Sequence, residues 1–537
     1  MIFLNAIDFK LDPIDFGIMI VYAVVMIWYG LRHAKQKSSE EYFLAGRDMT
    51  WPVVGISLFA ANISSSTLIG LAGDAYKTGI SVYNYEWMAT VVLVFFSIFF
   101  LPFYLRSQVY TMPEFLERRY DARSRYYFSF ITLVGNVIID TAAALYAGSL
   151  ILEKIFPGVE SWIIISLLAF AAAAYTIPGG LSSVVHTEVI QAVLLIAGSV
   201  ILSIITLDKI GGWEKALAVT PPDMLSLIRP ANDPSVPWTG LIFGVPLLGF
   251  YFWANNQFMV QRVLGAKDLN HGRWGALFAG LLKLPVLFIM VLPGTMARVL
   301  YTGDTQLAKA DDVYPTLLFD LLPVGLVGLV LAGLLAAISS SISATLNSAS
   351  TLITMDFVSK LYPKLTSNQL VRTGQISTVI LCILAAAWAP QIRQFDSLFK
   401  YLQSVLGYIA PPIVAVFIAG LFWRRANSDG AFASLMFGFI VATFLMLSRA
   451  YDLVPAINEI HFLHVAPVLF LACFTVIVIV SLATPAPDDA KISAYIWEKK
   501  LYDEETEELK SVVWYKNFRI LSVILLILTA ILVLKFW

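Results

Sequence analysis

Apolar and polar positions in this chain are sorted into long blocks rather than mixed residue by residue. Windows of about 20 apolar residues, the length that carries a helix across a bilayer, fall near 15–32, 52–76, 82–105, 127–152, 160–177, 185–206, 239–260, 275–299, 322–355, 372–390, 396–423, 430–448, 462–484 and 517–536. This pattern predicts about fourteen transmembrane helices and an all-α polytopic membrane protein. The loops are short except 207–238, with Pro221, Pro222 and Pro230, and 485–516, with the acidic run Asp503, Glu504, Glu505. Neither is large enough to hold an extra soluble domain.

Two polar runs interrupt the apolar blocks. Within 53–75 the chain reads Ala60-Ala-Asn-Ile-Ser-Ser-Ser-Thr67, flanked by Gly55, Gly70 and Gly73. Lipid supplies no hydrogen bonds, so a helix break at that depth must be buried in protein or line a wet cavity. Two readings are open: an unwound joint whose carbonyls face a small cation, or serines that let helices pack closely. The second run, Ala336 to Thr351, tilts the balance. There Ser340, Ser343 and Asn347 share one helical face, and Ser341, Thr345 and Ser348 the next. Hard cations of the sodium type take oxygen ligands. Carbonyls from one broken helix and hydroxyls from a second can supply them without burying a carboxylate.

Composition agrees with the pattern: 58% of the 537 residues are hydrophobic and only 14% charged, far below the roughly one quarter of soluble domains. The net charge of -1 says nothing of partners, and no nucleic-acid surface is indicated. Both cysteines, Cys382 and Cys473, lie inside apolar blocks and give neither a disulfide framework nor metal spacing. The five histidines stand apart at 33, 186, 271, 461 and 464, so no catalytic cluster is visible and the chain is not expected to be an enzyme. Most of the 36 Lys and Arg residues fall in the loops after the first, third, seventh, ninth, eleventh and thirteenth windows. The positive-inside rule then places those loops in the cytoplasm and both termini outside. No cleavable signal is visible, and the sole glycosylation-type sequon, Asn62-Ile-Ser64, lies within a window. A bacterial inner membrane is the expected location.

Internal symmetry points to a site. The second window is interrupted at Asn62 to Thr67 and the seventh, five windows later, at Trp253-Ala-Asn-Asn-Gln257. Two broken helices at matching places in two halves suggest an inverted repeat with a binding site at the midplane. The first half would cover 52–206 and the second 239–423, with an extra helix at 15–32 and three more in 430–537. Glu86, Asp140 and Lys283 are ionisable residues within windows, and such groups are functional candidates by default. A buried salt bridge between Lys283 and an acid, holding helices together without touching a ligand, is the competing reading.

In order and spacing the chain resembles the sodium/solute symporter family, and within it the sodium/sugar branch. The matching stretches are Ala60-Ala-Asn-Ile-Ser64, Tyr85-Glu-Trp87, Tyr110-Thr-Met-Pro-Glu-Phe115, Gly179-Gly-Leu-Ser-Ser183 and onward to Glu188, Gln261-Arg262, Leu282-Lys-Leu-Pro285, Leu346-Asn-Ser348, Thr354-Met-Asp356, Tyr401-Leu-Gln403 and Ala410-Pro-Pro412. The resemblance implies a LeuT-like five-plus-five inverted repeat with flanking helices. It implies a sodium site on the carbonyls of Ala60, Ile63 and Ala337 and the hydroxyls of Ser340 and Ser341. A second sodium, carried by some members, would fall on Glu188, Ser340 and Ser343. Glu188 in place of the usual aspartate and Ala344 in place of a serine set this chain apart there. As an alternative, Glu188 is a hydrated or hydrogen-bonded interface acid.

The resemblance also picks out Thr67, Glu86, Asp140, Lys283 and Gln403 for a sugar, with Phe252 and Phe399 as apolar walls. A polyol needs acceptors, donors and an aromatic face, and these residues supply them. Thr67, Asp140 and Phe252 depart from familiar sugar sites, so the solute need not be glucose or galactose. Two acids disfavour an anionic solute, and a neutral sugar or polyol such as myo-inositol is expected. The implied activity is sodium-coupled uptake by alternating access, with sodium, solute and the bilayer as partners and no obligatory protein partner. A symporter for an amino acid, vitamin or carboxylate is the alternative, and a channel or a transport-coupled sensor is further off.

Overall fold

The computed structural model describes residues 9, 11–34, 38–307, 309–394 and 398–537. Among them there is no β-strand, only two isolated bridges, Met49 with Ala266 and Arg229 with Pro237. Eleven helices are long and apolar enough to cross a membrane. The difference from the expected fourteen windows arises at three places, each with a local cause.

The first place is the window 52–76, which is divided. Helix α1, Pro13–Arg32, precedes it; the window itself holds α2, Trp51–Asn62, and α3, Ser65–Thr78. The break sits on Ile63 and Ser64, whose backbones leave the helical region (ψ 89° and 170°). Ser64 restarts the helix because its hydroxyl accepts the Thr67 N–H at 3.0 Å, as N-cap serines do. Helix α4, Asn84–Phe99, then runs on through Leu101–Arg106. Helix α5, Ala122–Ile155, starts five residues before its window and contains a π turn at Gly135–Thr141.

The second place is the pair of windows 160–177 and 185–206, which form one run, α6, Ser161–Ile210. Fifty residues would reach about 75 Å if straight, more than twice the hydrocarbon thickness. The run therefore bends, at Pro178 and at Gly180, where φ is +52° and ψ -150°. A side chain at 180 would both strain the backbone and strike the carbonyl of Tyr42. The third place is the window 239–260. It consists of short pieces: α7, Val245–Phe250, continued by the π turn Tyr251–Asn255, then an extended Asn256 (ψ 127°) and α8, Gln257–Leu264. The Asn256 side chain accepts the Phe258 N–H at 3.3 Å and caps α8. Both expected interruptions are thus real breaks restarted by a capping polar residue.

Helix α9, Leu269–Lys283, crosses α2 closely: a Cβ at Gly55 would strike Phe278 and the Gly275 backbone. Helix α10, Leu326–Leu361, is the axis of the molecule, with 78% of its membrane-length window buried. Helices α11, Ser367–Trp388, and α12, Leu398–Phe422, follow. Then come α13, Ser428–Tyr451, α14, Phe462–Ala483, the surface helix α15, Lys499–Leu509, and α16, Phe518–Lys535. The windows of α1, α13, α14 and α16 are only 22% to 33% buried. These helices turn apolar side chains such as Ile440, Leu471 and Ile531 outward, the surface a lipid-facing helix needs. The protein is an integral membrane protein.

Candidate functional site

The break between α2 and α3 changes which backbone groups are free. In an unbroken helix the Ser64 N–H would bond the Ala60 carbonyl; here it turns to Asn62 O at 3.1 Å. The released Ala60 carbonyl instead accepts the Ser340 hydroxyl of α10 at 3.2 Å, and that hydroxyl also lies 3.0 Å from the Ala337 carbonyl. Ala60, Ala337 and Ser340 therefore meet at one point. Ile63, fully buried, occupies the break itself. Ser341 is 6% exposed, and its hydroxyl oxygen is buried with no hydrogen-bond partner. A buried orphan oxygen is costly unless something fills its lone pairs. It follows Ser340 in the chain and lines one cavity with Asn62 and Ser64 of the helix break, and a neutral hydroxyl oxygen of this kind is a ligand that a sodium ion takes.

Ser341 also borders a cavity of about 120 Å³ lined by Asn62, Ser64, Thr67, Glu86, Asp140, Phe252, Trp253, Thr345 and Gln403, among others. Five of the seven residues expected to touch a solute, Thr67, Glu86, Asp140, Phe252 and Gln403, are brought together here. The arrangement puts the ion set and the solute cavity side by side. The Thr67 hydroxyl lies 3.1 Å from Asn62 O and 3.0 Å from Ser64 Oγ, which ties the cavity wall to the helix break. Asp140 stands on the π turn of α5 and has no ion-pair partner among the described residues. The side chain of Phe399 lies outside the described residues.

Lys283 does not line the cavity. It is fully buried behind it, where its ammonium donates to Glu86 Oε2 at 2.5 Å and to Asn62 Oδ1. The ring centroids of Phe59 and Trp253 lie 5.5 and 5.4 Å from its nitrogen. The buried salt bridge raised as a competing reading is present, and one of its partners, Glu86, is also a cavity residue. Lys283 thereby orients Glu86 and the side chain of Asn62.

Glu188 and Ser343 are not joined. Glu188 is fully buried and faces Arg262, also fully buried, at 2.5 and 3.3 Å, and it accepts the Ser57 hydroxyl. Of the alternative, a hydrated or hydrogen-bonded acid, the hydrogen-bonded form is the one this geometry matches, because the group is fully buried. Ser343 donates to Tyr175 at 2.9 Å and accepts from Thr176 at 2.8 Å. Arg262 already supplies the positive charge that a second cation would bring to Glu188.

Asn62, Trp253, Tyr85 and Phe258 line the cavity without having been singled out as contacts. The sequence signal for Asn62 and Trp253 was their place in the two polar interruptions; for Phe258 there was none.

Comparison with known proteins places the chain. A model described as "Sodium:solute symporter family" matches residues 42–438. A Bos taurus protein named sodium/mannose cotransporter is 36% identical over 91% of this chain and 89% of its own length. The Homo sapiens sodium/myo-inositol cotransporter is 34% identical over 91% and 76%, and the Danio rerio sodium/glucose cotransporter 4 is 33% identical over 93% and 83%. Among solved structures, a Na+-coupled sialic acid symporter in a substrate-bound outward-open state is similar with a TM-score of 0.78. It is 22% identical over 89% of this chain and 99% of that one. The nucleobase-cation-symport transporter Mhp1 in a closed conformation follows with a TM-score of 0.58, 14% identity and coverage of 86% and 99%. These likenesses establish the LeuT-like fold.

Proposed function

The chain belongs to the sodium:solute symporter family, and from that premise we propose that it imports a neutral sugar or polyol by coupling it to inward sodium flux. Sodium sits on the carbonyls of Ala60, Ile63 and Ala337 and the hydroxyls of Ser340 and Ser341. The observation that carries this reading is the orphan Ser341 hydroxyl, buried on α10 and bordering, together with Asn62 and Ser64 of the helix break, a cavity rich in sugar-type partners.

Coupling follows from the shared wall. An ion at the break ties α2 to α10, and it biases the conformations only through its different affinity for each. Because the Thr67 and Ser64 hydroxyls belong both to the break and to the cavity, ordering the break orders part of the solute site. One sodium ion entering at 100 mV supplies about 2.3 kcal/mol, roughly fifty-fold accumulation by the tenfold-per-1.4 kcal/mol conversion. In the cavity, Glu86, Asp140 and Gln403 take the solute's hydroxyls and Phe252 takes its C–H face. Lys283 positions Glu86 and offsets its charge, and the second cavity acid, Asp140, is what favours a neutral solute over an acid. The relatives named for mannose, myo-inositol and glucose support this class.

The two inverted halves, 52–206 and 239–423, move against one another in this reading, and both termini lie outside the cytoplasm as the loop charges require. A bacterial inner membrane has only the buried sequon in its favour, and the relatives named above are vertebrate proteins.

The test is uptake into proteoliposomes of radiolabelled glucose, galactose, mannose, myo-inositol, proline and sialic acid, with an inward sodium gradient and with potassium in its place. Sodium-dependent accumulation of a neutral polyol is expected. Uptake of proline or sialic acid instead overturns the roles given to Glu86, Asp140 and Gln403.

A further inference from the structure

The polar face of α10 does not stop at the sodium ligands. Ser340, Ser343, Asn347, Thr351 and Thr354 recur every three or four residues and form one stripe down the helix. Asn347 lies seven residues beyond Ser340, about 10 Å along the axis, and Thr354 a further two turns. At the far end of the helix, Asp356 is locked by Thr111 at 2.6 Å, by Arg125 at 2.6 Å and by Ser129 at 2.5 Å. The stripe thus leads from the ion site to the end of α10 that the loop charges place in the cytoplasm.

Most of the stripe is satisfied. The Ser340 hydroxyl has the carbonyls of Ala60 and Ala337, Ser343 has Tyr175, and Thr351 donates to Asn347 O at 2.8 Å. Asn347 stands out because it is 1% exposed and neither its Oδ1 nor its Nδ2 has a partner. Two neighbours share the condition. Gln261 of α8 is fully buried and donates to Thr351 at 2.9 Å and to Phe43 O at 2.6 Å, which leaves its Oε1 without a donor. Thr354, one turn further on, is fully buried with an unpartnered hydroxyl. Buried amides are almost always paired, and an orphan costs about 1–3 kcal/mol. Two orphan oxygens on the stripe and a third on Gln261, which donates to Thr351 of the same stripe, therefore point to a ligand that visits.

We propose that Asn347 with Gln261 and, two turns further on, Thr354 are successive stations of a transit site for a partly hydrated sodium ion on its way from Ser340 and Ser341 to the cytoplasm. The three oxygens are neutral hard donors, strong enough to offset part of the ion's dehydration and too weak to trap it. The ion's own water satisfies the remaining Asn347 Nδ2 donor. The carboxylates around the stripe are both already held, Asp356 at its end by Arg125, Thr111 and Ser129 and Glu188 by Arg262, the residue after Gln261, so neither pins the ion. This inference rests on the sodium reading above, and the experiment separates the two.

Asn347→Leu and Asn347→Asp are compared in the full chain by sodium half-saturation of sugar-coupled current, read from the external face in whole cells and from the cytoplasmic face in excised patches. Asn347→Leu is expected to raise the cytoplasmic value at least fivefold and Asn347→Asp to lower it at least threefold, with external values within twofold of wild type. Unchanged cytoplasmic values, or external values that move as far as the cytoplasmic ones, overturn the transit site. If Asn347→Leu does not reach the membrane, Asn347→Asp decides by the same criteria. Ser340→Ala serves as the control for the underlying reading. An unshifted external value there removes the sodium site itself, whereas a shift there with no effect at Asn347 removes the transit site alone.

Discussion

Replacing Ser341 by alanine should move stability and sodium binding in opposite directions. Its hydroxyl oxygen is buried without a partner while its neighbour Ser340 is fully bonded. Without sodium, deleting an unsatisfied buried hydroxyl removes a desolvation penalty of about 1–3 kcal/mol, and the small residue left behind disturbs little packing. The variant should therefore be about 1 kcal/mol more stable than wild type in choline chloride. With sodium, one of five ligands is lost. If the dissociation constant rises tenfold, the stabilisation conferred by saturating sodium shrinks by about 1.4 kcal/mol. The assay is thermal unfolding of the detergent-purified protein in choline and in sodium chloride at equal ionic strength. The difference between the two salts should be smaller in Ser341→Ala than in wild type, and the choline transition should be higher. A variant that unfolds earlier in choline, or keeps the full sodium-dependent shift, refutes the assignment of Ser341 as a ligand.

Ser340→Ala should raise the sodium concentration for half-maximal uptake, checked by sodium titration of tracer flux, and unlike Ser341→Ala it should destabilise the sodium-free protein because the Ala60 carbonyl loses its donor. Gln403→Ala should weaken solute binding by about 1–3 kcal/mol, read as the half-saturating solute concentration at fixed sodium. Arg262→Met leaves the Glu188 carboxylate buried and uncompensated and should cost about 3–5 kcal/mol; the double replacement Arg262→Met with Glu188→Leu should recover much of it, as measured by thermal unfolding. Gly180→Ala should lower membrane expression sharply, because φ there is +52° and the added methyl meets the Tyr42 carbonyl.

The helix breaks were legible because they carry a local signature. A run such as Asn62-Ile-Ser-Ser-Ser-Thr67 inside an apolar block marks either a break or a close-packed helix contact, and Ser64 and Asn256 are residue types that start helices. The hydroxyl spacing of Ser340, Ser341 and Ser343 was legible for the same reason, since helical period follows from order alone. What each hydroxyl touches was not. Ser340 reaches across to Ala60, 280 positions earlier, whereas Ser343 turns to Tyr175. Nothing in the local pattern separates the two.

The charged residues show the division most clearly. That Glu86, Asp140, Glu188 and Lys283 sit within apolar windows is a property of the chain, and the expense of burying charge already marked them for a partner or a ligand. Which partner each takes depends on packing. Lys283 finds Glu86 and Asn62, and Glu188 finds Arg262, because those helices lie against each other. Asp140, with no ion-pair partner among the described residues, lines the cavity. Burial patterns, helix periods and capping residues are written locally, so the sequence by itself determined a helical membrane transporter with two broken helices and a polar seam. Pairing energies act between residues tens to hundreds of positions apart, so only the tertiary structure decided which of the candidate groups face one another and which remain free to meet an ion or a sugar.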